Sequence, residues 1–180
     1  MSDDPQNDSF DEVKPAGAEA LNKAKSAVMQ LPLAEKFSLG GGVLYLLGAF
    51  ILKYAKSKVT GTLAYGDLDD YGQGSITMAD DGGFWFWLGL AAAIIAIALP
   101  FINLFMKNFK LPLPKPMTYL LAGVVGALAP IIKWILTDDK SVSFMGITVK
   151  AVPDLGFYAM VIAGALIAYG GFQSGGLTQL

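Results

Sequence analysis

Residues 80–106 read DDGGFWFWLGLAAAIIAIALPFINLFM: two acids, two glycines, four aromatics, then an apolar run with no charge until Lys107. A helix over this run is long enough to cross ~30 Å of hydrocarbon. Aromatic rings favour the boundary where one end is apolar and the other wet, so Phe84, Trp85, Phe86 and Trp87 predict a helix entering a membrane. Asp80 and Asp81 stay in water just outside it, at a helix N-terminus where acids are favoured.

Three more apolar segments accompany this one: Phe37–Leu52, Met117–Leu136 and Leu155 to about Phe172. The chain of 180 residues is 54% hydrophobic and only 16% charged, with its charges clustered between the segments. Soluble domains carry roughly 25% charged residues. The expected fold is an all-α membrane protein, a bundle of four transmembrane helices.

The remaining segments are polar. Residues 1–16 are acidic and interrupted by prolines, as in a flexible tail. Residues 17–36 predict an amphipathic juxtamembrane helix, with Ala20, Leu21, Ala24, Ala27, Val28 and Leu31 opposite Lys23 and Lys25. The transmembrane domain covers 37–172, and 173–180 form a C-terminal tail. No secretory leader is read at the N-terminus, where seven acids precede residue 37.

Loops 55–82 and 137–154 are expected to lie on the same side, because two spans separate them. Both alternate β-branched and polar residues around turn-like centres (KVTGTLAY, GDLDD and YGQGSITM; SVSF, Met145-Gly146 and ITVKAV), which predicts a hairpin in each. Isolated hairpins are marginal in water. Joined, they predict a sheet of about four strands capping the helices. The short loop 106–116 carries Lys107, Lys110 and Lys115 and no acid, which places it and both termini in the cytoplasm and the hairpins outside. The total of seven lysines inside and six outside adds little to this assignment.

A pattern recurs. LGAFILKY (Leu47–Tyr54) and VGALAPIIKW (Val125–Trp134) each precede a hairpin-like loop, and then Asp81-Gly82-Gly83-Phe84-Trp85 and Asp154-Leu155-Gly156-Phe157-Tyr158 open the next helix. A duplicated helix–hairpin–helix unit would relate the halves by an axis along the membrane normal. Shared boundary chemistry is the competing explanation. Trp85, Trp87, Trp134, Phe157 and Tyr158 are the expected boundary anchors. Lys133, the one ionisable side chain clearly inside a span, lies one turn from its end and is expected to reach outward to water.

Function is bounded mainly by absences. The chain has no cysteine and no histidine, and all 13 basic residues are lysines. It therefore lacks thiolate and imidazole ligands and a base poised near neutrality. No cofactor is expected, no catalytic residue is assigned, and the net charge of −2 gives no footprint for nucleic acid. Asp67, Asp69 and Asp70 resemble the start of a calcium loop, but Met78 stands where the bidentate glutamate belongs, so they remain a weak calcium candidate.

Small residues at four-residue spacing, Gly89/Ala93, Ala122/Gly126, Ala159/Ala163 and Gly164/Ala168, predict faces where helices approach closely. They suit packing within the bundle and contacts with another subunit. The topology resembles the claudin-type tetraspan layout, but the Trp…Gly-Leu-Trp…Cys…Cys pattern of claudin outer loops is absent, so no family is assigned. The expected role is a non-catalytic structural or accessory subunit of a larger or homo-oligomeric membrane assembly, in a bacterial inner membrane or a phage or virion membrane. Its partners are lipid and other membrane subunits or itself. The alternative is a small channel or holin-like pore.

Overall fold

The computed structural model describes residues 17, 19, 22–23, 25–60, 62–63, 66–67, 74–105, 112–137, 141–144 and 147–175. The chain divides into two compact units, Met1–Pro32 and Leu33–Leu180. In the first, residues 25–30 are helical.

The second unit is mostly helical. Its elements are α1 (Leu33–Phe50), β1 (Ala55–Thr60), β2 (Thr62–Leu63), β3 (Gly66–Asp67), β4 (Ser75–Ile76), α2 (Met78–Asp81), α3 (Phe84–Phe105), α4 (Lys115–Leu136), β5 (Ser141–Phe144), β6 (Ile147–Pro153) and α5 (Leu155–Gln173). Among the described residues, three helices are long and apolar enough to cross a membrane: Phe84–Ile102, Lys115–Leu136 and Leu155–Gln173. The first predicted span is not among them. Helix α1 starts at Leu33, takes in Glu35 and Lys36, and ends at Phe50. Its uninterrupted apolar part, 37–50, rises only about 21 Å. Leu33–Lys36, expected in the juxtamembrane helix, thus form the first turn of α1.

Each long helix packs on two others: α1 on α3 and α5, α4 on α3 and α5. Small residues set the approach. A methyl added at Gly41 would stand 2.7 Å from the Ala163 carbonyl, and one at Gly42 3.0 Å from that of Ala93. At Gly164 and Gly123 the added methyl would overlap the backbones of Ala127 and Ala168. The core is therefore alanine, glycine and a few large side chains, with Tyr45, Tyr119, Met160 and Ile167 fully buried. Large apolar residues point the other way. Val43, Leu47 and Phe50 on α1, Ile94 and Ile95 on α3, Leu121, Val124 and Leu128 on α4, and Leu155 and Ile162 on α5 are exposed. On α1 and α4 their three- and four-residue spacing lines one outer face of the helix.

Both loops enter one four-stranded sheet of order β4-β1-β6-β5. β1 and β6 form its centre, antiparallel, from Ala55↔Pro153 to Thr60↔Thr148. β5 pairs with β6 from Ser141↔Lys150 to Phe144↔Ile147, and β4 pairs with β1 at Ala55↔Ile76 and Lys56↔Ser75. A separate two-stranded ladder, β2 with β3, lies in the first loop. The central pair joins the first strand of one loop to the second strand of the other. A two-fold axis would set equivalent strands side by side, so the sheet does not follow the sequence recurrence.

Candidate functional site

Lys133 meets Asp81 where α4 ends and α3 begins. The segment before α3 is a short helix, α2, closed by a reciprocal cap: Thr77 Oγ1 accepts from Asp80 N at 3.2 Å, and Asp80 Oδ2 accepts from Thr77 N at 2.9 Å. The amide and hydroxyl of Thr77 hold the Asp80 carboxyl below the usual carboxylate range. The two acids thus sit in a turn of their own and not at the N-terminus of α3. Gly82 (φ 60°) and Gly83 (φ 86°) then break the chain before Phe84, in backbone conformations that side chains with a Cβ rarely adopt.

Lys133 crosses to this break. Its Nζ donates to the Gly82 carbonyl at 2.6 Å and pairs with Asp81 Oδ2 at 2.8 Å. Nζ also stands 5.8 Å from the centroid of the Tyr54 ring. Lys133 is 8% exposed. The expectation that it reaches water is overturned: it turns inward because an acid and a free carbonyl end at the same level, which spares the ammonium an unpaired burial.

Tyr54 gathers the neighbouring elements. Its hydroxyl donates to Pro130 O at 3.0 Å, its amide to Ile76 O at 2.8 Å, and its carbonyl accepts from Asp154 N at 3.0 Å. Next to it, Gly156 N donates to Lys53 O at 2.7 Å. Burial, then the Asp81 charge, pushes the Tyr54 hydroxyl well above its ordinary value. The ring completes a triangle with Trp134 (6.1 Å) and Phe157 (5.9 Å), themselves 5.9 Å apart.

Of the five expected anchors, Trp134 and Phe157 therefore pack on a buried tyrosine. Trp85 is half-buried beside Phe84. Trp87, 64% exposed, and Tyr158 face outward. All eight small residues named from the sequence lie in contacts within the chain. Gly89 abuts Tyr45, Gly126 faces Gly164, Ala159 lies against Gly48 and Ala163 against Gly41. Ala93, Gly164 and Ala168 occupy the crossings already described, and Ala122 is buried with Ala92, Ala96 and Ile167.

The backbone of Asp67 lies in β3, paired with Thr62. Asp69 and Asp70 fall outside the described residues, as does the side chain of Asp67. Among the described residues no group of three or more acids could hold a metal ion. Chemically the node is a set of ties: an ammonium, a carboxylate and a hydroxyl, each bonded to a group on another element. A sequence signal for it existed, since the lone lysine of the third segment ends where the acids before the second segment begin. Asp81 is too distant in sequence for periodicity to reveal the pairing. No family model matches the chain, and neither does any curated protein.

Proposed function

We propose that this is a non-catalytic integral membrane protein: four helices crossing the bilayer, the sheet capping them on the extracytoplasmic side, both termini inside. It acts as a structural or accessory subunit of a larger or homo-oligomeric assembly, in a bacterial inner membrane or a phage or virion membrane. The observation that carries the reading is the inverted distribution of size. Glycine and alanine fill the helix contacts, while Val43, Leu47, Ile94, Ile95, Leu121, Leu128 and Ile162 face outward. In water such faces would be a large exposed apolar surface; in lipid they are at rest. The short α1 is carried by its contacts with α3 and α5. The subunit role draws on the sheet, whose outer strands β4 and β5 each have a free edge among the described residues, the geometry that accepts a further strand. Native mass measurement in mild detergent tests it: an assembly larger than one chain is expected, and a strictly monomeric species, alone and with membrane extract, would refute the subunit role.

The second reading, a channel or holin-like oligomer, rests on hydroxyls inside the helices. Ser38, Tyr45 and Tyr119 are buried, and the last two have no hydrogen-bond partner among the described residues. Conductance across liposomes separates the two readings, because only the second predicts ion flux.

A further inference from the structure

We propose that the outer edge of β5 takes an extended peptide strand in which acidic residues alternate with apolar ones. The inference rests on the subunit role above and names the edge and the chemistry of the partner.

The four-stranded sheet has two unlike faces. Residues opposite each other in a ladder share a face and alternate ones change it, so the register puts Lys56, Lys58, Lys150, Ser75, Ser141 and Ser143 on one side. Ala55, Val59, Val149, Ala151 and Ile76 lie on the other, where Val149 and Ile76 are exposed. The four strands hold three lysines and no acid. Lys56 pairs with Asp154. Lys58 stands directly opposite Lys150, both are exposed, and neither has an ion pair among the described residues. Like charges at opposed positions repel, so this face favours an incoming anion.

The backbone at the edge says what form that anion takes. Edge strands are commonly guarded by a charge, a proline or a bulge. β5 reads SVSF and carries neither charge nor proline. In an antiparallel ladder alternate residues turn their amide and carbonyl away from the partner strand, so half of β5 presents hydrogen-bonding groups outward. β4, two residues long, offers less. A strand added to β5 would lie about 4.8 Å beyond it. Ser141, small and exposed, is the neighbour of Lys150 on that side. The lysine stem can lean across it, with the charge of Lys58 behind it, to a carboxylate on the new strand. Ser141 and Ser143 are the β5 positions on this face, so the partner presents acids two residues apart. Apolar residues between them continue the Val149 side. A second copy of β5 does not meet this need, because it brings another lysine pair and no acid.

The test is fluorescence anisotropy of a labelled peptide of about eight residues, Glu alternating with Val, added to the full chain in mild detergent. Binding is expected, and weaker at high salt. Lys150→Gln should weaken it roughly threefold or more, and Lys58→Gln, one strand farther away, by less. Neither change should lower the unfolding midpoint, since each removes a repulsion, so lost binding is not lost fold. A Lys-Val peptide, or the Glu-Val peptide with methylated backbone amides, should not bind. No binding by the Glu-Val peptide, equal binding by either control, or unchanged affinity in Lys150→Gln overturns the proposal. So does a dimer that Ser143→Pro dissolves and the peptide does not, which would seat a second copy of β5 on the edge. Native mass of the same samples keeps the two readings apart. An assembly with no affinity for the peptide overturns the acidic strand alone; a chain that stays monomeric, with membrane extract and with peptide, overturns both.

Discussion

Replacing Lys133 with methionine keeps most of the side chain's length and packing and removes its charge. The bond from Nζ to Gly82 O is short, 2.6 Å, and charge-assisted; such bonds contribute about 1.5–3 kcal/mol. The partner carboxylate of Asp81 is 45% exposed. It regains water when the lysine is lost, so the ion pair adds no more than about 1 kcal/mol. The expected loss for Lys133→Met is therefore about 1.5–4 kcal/mol. Asp81→Ala leaves the ammonium buried against one carbonyl and is expected to cost about 1.5–3 kcal/mol, the upper part reflecting the stranded charge. Because Asp81→Ala acts through the ammonium that Lys133→Met removes, the double variant should cost less than their sum by about 1.5–3 kcal/mol. Reversible unfolding in mixed micelles, followed by circular dichroism, measures all three. A Lys133→Met protein as stable as the parent, with no coupling to Asp81, would mean the ammonium sits in water and the node ties nothing.

The helix contacts make opposite predictions for two glycines. Gly164→Ala forces a methyl into the backbone of Ala127 and should cost about 1–3 kcal/mol. Gly40→Ala meets nothing within 4 Å and should stabilise α1 by about 0.5–1 kcal/mol; the same micelle assay ranks them. Gly82→Ala places a Cβ at φ 60° and should cost about 1–3 kcal/mol, with faster amide exchange across residues 78–83. The Thr77 amide and hydroxyl hold the Asp80 carboxyl below the usual carboxylate range, so its cap is fully formed above that range and is lost as pH falls through the lower folded value. Amide exchange at Thr77 and Asp80 should thus quicken only in strong acid, and protection unchanged at the lowest accessible pH would contradict the cap.

Much of the helical layout was legible because lipid-facing helices announce themselves by unbroken apolar runs. The stretch after Gly83 predicted a helix from Phe84 to Met106, and α3 covers Phe84–Phe105. The fourth segment begins at Leu155, as α5 does. The first apolar run extends to Leu52, but α1 stops at Phe50, because Ile51 and Leu52 are apolar enough to continue a helix without doing so. Instead both amides fold back to Leu47 O, at 3.0 and 2.9 Å, and the chain turns into the sheet at Tyr54. Strand-forming runs in both loops were visible as alternation, but not the β1–β6 pairing, which depends on how the helices bring the loops together. Lys133 carried the deepest ambiguity. A lysine near a helix end snorkels or pairs according to what stands at its level, and Asp81 and Gly82 arrive there only through the packing of α3 on α4. Phe157 and Trp134 are similar: an aromatic residue at a membrane boundary is equally suited to lipid or to a neighbour such as Tyr54.

The central claim is that the helices cross a bilayer with the sheet on one side. The absence of native cysteine makes single-cysteine labelling in sealed vesicles direct. Lys58→Cys and Lys150→Cys, opposite each other across β1 and β6, should react with a membrane-impermeant maleimide from the same side, and Lys115→Cys, at the start of α4, only from the other. Equal labelling of all three from one side would contradict the account.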